Sequence, residues 1–101
     1  MGIQTDVLAS VPLTATGLFA NQATSTLGRT RVKAVYIVPT GTAGSVVFRD
    51  GGSGGAIVMT INTVASATQP TYMPFPGQGL VFVTNVHGTV TSIGSVTIFY
   101  G

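Results

Sequence analysis

The sequence predicts an all-β fold, a single antiparallel β-sandwich, with a jelly roll as one way of connecting it and with an extended N-terminal arm. Three observations lead there. The 101 residues include 14 Gly, 16 Thr and 14 Val, a mixture that favours strands and turns over helices. Apolar and polar residues alternate with period two over short runs, and glycine or proline punctuates those runs. No stretch of about ten residues keeps the period of an amphipathic helix.

Residues 1–28 are the least regular part and form an arm or edge strands, followed by a sandwich domain over residues 29–101. Two short apolar segments lie in the arm, Val7 to Leu13 and Thr16 to Ala20. Pro12 interrupts the first, and proline cannot donate to a central ladder. Thr30 to Val38 is a strand with Arg31 and Lys33 on one face and Val32, Ala34, Tyr36 and Val38 on the other. The turn Pro39 to Gly44 ends it.

Ser45 to Asp50 is the next strand, with Val46, Phe48 and Asp50 on one face. Gly51-Gly52-Ser53-Gly54-Gly55 reverses the chain as a hairpin, glycine supplying the positive φ that tight connections need. Ala56 to Thr63 returns with Ile57, Met59 and Ile61 on one face. Val64 to Gln69 is a loop, and Pro70 to Pro76 is extended chain with few ladder donors. Leu80 to Val86 reads as a strand covered on both faces, His87 to Gly94 as a loop, and Val96 to Tyr100 as the last strand.

Charge is scarce: Asp6, Arg29, Arg31, Lys33, Arg49 and Asp50 are the whole set, for a net +2 at pH 7. A mean hydropathy of +0.54 with so little charge is the reverse of a disordered chain. The pI near 9.5 reflects four basic residues against two acids. Four cations are too few to neutralise the phosphates that nucleic-acid affinity requires, so no nucleic-acid partner is expected. No membrane partner is expected either, because no apolar run approaches the roughly 18 residues of a spanning helix. The N-terminus has neither the basic nor the apolar region of a secretory signal, and Asp6 stands where a myristoylation motif wants Ser or Thr.

The chemistry available is sparse. There is no Cys and no Glu, one His and two Asp, so no catalytic residue, cofactor site or metal site is assigned. His87 is read as a loop residue with an ordinary hydrogen bond, although a three-fold axis would bring three copies to one ion. The Gly51–Gly55 run lacks the following helix and the Lys of a phosphate loop. Candidate interface residues are Arg29, Arg31 and Lys33, a basic stripe suited to an acidic protein neighbour, and Tyr72, Met73 and Phe75, framed by Pro70, Pro74 and Pro76. A soluble monomer normally carries a mixed charged surface. The shortage here predicts a homo-oligomer, with a trimer favoured.

From Arg29 to Tyr100 the chain resembles small β-sandwich virion proteins of tailed bacteriophages, including phages of cyanobacteria. The likeness is carried by the order of four segments: Arg31 to Gly44, Val46 to Thr63, Met73 to Val90 and Gly94 to Gly101. Its most characteristic pieces are Pro-Gly-x-Gly-apolar-x-Phe at Pro76 to Phe82 and Val-x-Phe-Arg-Asp-Gly at Val46 to Gly51. The resemblance implies a non-enzymatic structural subunit of the virion, made in the host cytoplasm. In that role it decorates and cements the capsid surface against the major capsid protein, often as a trimer. It supplies no family site residues. A tail fibre or tail adaptor component is the alternative within that class. From the residues alone, a carbohydrate-binding module using Tyr72, Asn85 and His87 is an alternative of a different class.

Overall fold

The β-branched run that begins at Thr30 forms the longest strand of the molecule, and the other strands are laid around it. In the computed structural model, which describes residues 7–66, 69–77 and 79–101, strands succeed one another without a helix among the described residues. They are β1 (Leu8–Ala9), β2 (Gly17–Leu18), β3 (Thr30–Pro39), β4 (Gly44–Asp50), β5 (Ala56–Thr63), β6 (Thr71–Pro74), β7 (Leu80–Phe82), β8 (His87–Thr91) and β9 (Ile93–Tyr100). One antiparallel sheet has the order β1-β9-β3-β6, with β7 also on β3; the other has the order β2-β8-β4-β5. The two pack together as a β-sandwich.

The interior is made by one face of each sheet. Val35, Ile37, Val96 and Ile98 come from the first and Val46, Phe48 and Ile61 from the second, all buried. Three aromatic rings tie the layers. Phe48 of β4 stacks on Phe19 at 5.8 Å between ring centroids and meets Phe82 of β7 edge-on at 6.4 Å. Residues 7–28 are woven into this core on their own chain. β1 pairs with β9, Leu13 bridges Val96, β2 pairs with β8, and Phe19 and Leu27 are buried. Buried Ser10 is satisfied by Ile98, whose amide donates to Oγ at 3.0 Å while its carbonyl accepts the Ser10 amide at 2.9 Å.

Two bulges correct the facing expected from strict alternation. The β3–β9 register shifts between Val32 and Ala34, which inserts Lys33 as an extra residue. Beyond it the phase reverses, so Val35 and Ile37 point inward while Tyr36 is exposed and Val38 half-buried. The β4–β5 register shifts at Val58, so Ile57 stands opposite Arg49 and is 56% exposed instead of joining Met59 and Ile61. A one-residue slip moves every later side chain to the other face.

Three boundaries also differ from the expectation. The strand expected over Leu80 to Val86 stops at Phe82, because the Asp50 carboxylate captures the next three amides in a turn. The loop expected over His87 to Gly94 contains β8, which pairs with β4 and β2, and β9 already begins at Ile93. The Gly51–Gly55 turn forms as expected, with φ of +105° at Gly51 and +89° at Gly52.

Candidate functional site

The outer face of the β1-β9-β3-β6 sheet brings three aromatic and two cationic side chains together, and the β3 bulge is what adds Tyr36 to them. Before the bulge, Val32 is buried and Arg31 and Lys33 face outward; after it, Ala34 and Tyr36 do. Lys33 and Ala34 therefore follow one another on the same side, a property of bulges. Tyr72 of β6 stands opposite Tyr36, and Phe99 of β9 stands opposite Ala34. The Tyr72 and Phe99 rings meet edge-on at 6.1 Å, diagonally across β3. Ala34, small enough to lie beneath them, is left only 4% exposed.

This face thus presents Tyr36, Tyr72 and Phe99 beside Arg31 and Lys33. Tyr72 is 60% exposed, and no acidic residue lies within the strands of the sheet. Aromatic rings fixed by their neighbours offer large contact area at little entropic cost, and edge-on aromatic pairs add about 0.5–1.5 kcal/mol beyond area burial. The flanking cations suit an acidic protein surface.

Of the other candidate residues, Arg29 is exposed in the turn before β3. Met73 and Phe75 are partly buried and pack against the core, Met73 because it alternates with Tyr72 along β6. Proline restricts β6 to a short edge strand, and the Phe75 amide donates to the Lys33 carbonyl at 2.9 Å, closing the bulge. Gly79 lets the chain start β7 on the same edge of β3. Its φ is +86°, and a Cβ there would collide with the Val32 carbonyl oxygen.

The polar residues of the opposite sheet serve the hairpin. Asp50 accepts the Val83 and Thr84 amides, each at 2.8 Å, and the Asn85 amide at 3.4 Å. The Gly51 amide in turn donates to Asn85 Oδ1 at 3.1 Å. The Val83 and Thr84 bonds hold the Asp50 carboxyl below the usual carboxylate range, against a smaller opposing effect of desolvation. Arg49 turns back on its own hairpin, donating from Nη1 to the Gly55 carbonyl at 3.1 Å.

His87, expected in a loop, is the first residue of β8, opposite Arg49, and is only 5% exposed. Burial pushes its pKa down, and the Arg49 charge adds to the effect. A ring covered by its own chain is poorly placed to share an ion across a symmetry axis, and no group of three His, Cys, Asp or Glu gathers among the described residues. The residues invoked for a glycan site do not come together. Tyr72 lies on one sheet's outer face, Asn85 on the turn at Asp50, and His87 within the other sheet. Only the bulge makes Tyr36 part of the candidate face, and alternation along β3 gives no sign of it; Phe99 faces outward by simple alternation with buried Ile98 and Tyr100 on β9. No family model, curated protein or solved structure matches this chain.

Proposed function

We propose that this protein is a structural subunit of a phage particle, a non-enzymatic decoration or cement protein that docks on the major capsid protein through the outer face of the β1-β9-β3-β6 sheet. The observation that carries the reading is the Tyr36, Tyr72 and Phe99 cluster flanked by Arg31 and Lys33, a face built for a protein neighbour. The low charge of the chain supports it, since a subunit covered by neighbours needs few solvated side chains. So does the resemblance of residues 29–100 to virion proteins of tailed phages.

Quantitative mass spectrometry of purified particles tests the proposal. A copy number comparable with that of the major capsid protein is expected. A small fraction of it would move the protein to the tail, and absence from the particle would overturn the reading.

A further inference from the structure

The sandwich has several strand edges, and among the described residues all but one of them are blunted. β1 and β2 are two residues long, β7 three, and β6 four with Pro74 at its end and Pro70 just before it. Short strands and proline are the ordinary means of keeping an edge from pairing with another chain. β5 is different. It is an eight-residue strand that ends its sheet, Ala-Ile-Val-Met-Thr-Ile-Asn-Thr, with neither proline nor charge. Its one irregularity, the bulge at Val58, sits near the hairpin turn and leaves Met59 to Thr63 in unbroken register with β4.

Ile57 and Val58 on this strand are exposed, and Val64 just beyond it is 72% exposed. Along the same side the sandwich is open. Ile61 from one sheet and Ile37, Pro39 and Met73 from the other line a cleft of about 180 Å³ between β5 and β6. A strand added to β5 satisfies the free backbone groups of the edge and covers apolar surface at the cleft mouth.

We infer that β5 pairs with β5 of a second copy of this chain, antiparallel about a two-fold axis, joining two four-stranded sheets into one. Two features select that occupant. Every other edge among the described residues is too short to fill β5, so within a population of identical chains another β5 is the strand that matches its length. The strand carries no charge, so the self-complementary pairing that a two-fold axis demands brings no like charges together. This deepens the structural-subunit reading by naming a contact between copies. The unit it builds is a dimer, where the resemblance implies a trimer.

The test is the mass in solution of the full chain by light scattering over a range of concentrations, for wild type and for two charged variants. Thr60 and Asn62 are exposed and face away from the core. The Thr60→Lys, Asn62→Lys variant is expected to keep the wild-type circular dichroism spectrum while its dimer dissociation constant rises at least tenfold. The Thr60→Glu, Asn62→Glu variant is expected to do the same, and an equimolar mixture of the two regains the dimer. A wild type that stays at the 10.2 kDa chain mass, or that forms a trimer unaffected by either variant, overturns the inference. Either result leaves the copy number in particles, and so the proposed function, to be judged separately.

Discussion

β3 and β5 are strands of similar composition and opposite circumstance. β3 has ten residues and β5 eight, both rich in Val and Ile, and the register of each with its partner is interrupted, twice along β3 and once along β5. β3 is paired along both edges, with β9 on one and with β6 and β7 end to end on the other, and its apolar residues Val32, Ala34, Val35 and Ile37 are buried. β5 is paired along one edge, and of its large apolar residues only Ile61 is buried. Residue type therefore does not decide burial here. Position in the sheet does, and β5 keeps a surface that β3 has already spent inside its own chain.

The sharpest way to separate the two circumstances is to truncate a side chain at the centre of the core. Phe48→Ala removes the ring that joins Phe19 to Phe82 and is expected to cost about 3–5 kcal/mol in urea unfolding. Gly79→Ala comes next. It forces a side chain into φ +86° against the Val32 carbonyl, where β6 hands over to β7 beside β3, and about 1–3 kcal/mol of stability should be lost in the same measurement. At the other extreme, Ile57→Ala on β5 should change the unfolding free energy of the dilute chain by no more than about 0.5 kcal/mol.

Between these lies a dependence on pH that belongs to β4 and the neighbouring β8, through Asp50 and His87. His87 has a depressed pKa in the fold, so the unfolded chain takes up the proton first and stability declines as pH falls below about 6.5. Asp50 is also depressed. Its contribution is whole above the ordinary carboxylate value, near 3.8, and is lost as pH falls through the lower folded value. Thermal unfolding measured from pH 8 to 2 should show both declines, with His87→Gln flattening the first and Asp50→Asn the second.

Much of this architecture was legible in the residues. Period-two alternation and glycine punctuation identify the β-class, the β4–β5 hairpin at Gly51–Gly55 and the edge character of the proline-framed segment at Tyr72. The bulges were not legible, since Lys33 and Val58 look like ordinary strand residues and only the partner strand reveals the extra position. That is why Tyr36 and Ile57 were expected to face the other way. The turn at Val83 to Asn85 was hidden for a related reason: its apolar and neutral residues suit a strand, and it is Asp50, over 30 positions earlier, that bends it. Of the candidate interface residues, Arg31, Lys33 and Tyr72 share one face, while Met73 and Phe75 pack against the core; residue type alone does not separate the two groups, because aromatic and thioether side chains serve both places equally well.

Amide hydrogen exchange, followed strand by strand at low and high protein concentration, reaches the difference between β3 and β5 most directly. The account predicts that β3 amides exchange slowly at both concentrations, whereas the β5 amides on its free edge exchange quickly in dilute solution and become protected as the protein is concentrated. Free-edge β5 amides that exchange at the same fast rate at every concentration would contradict it.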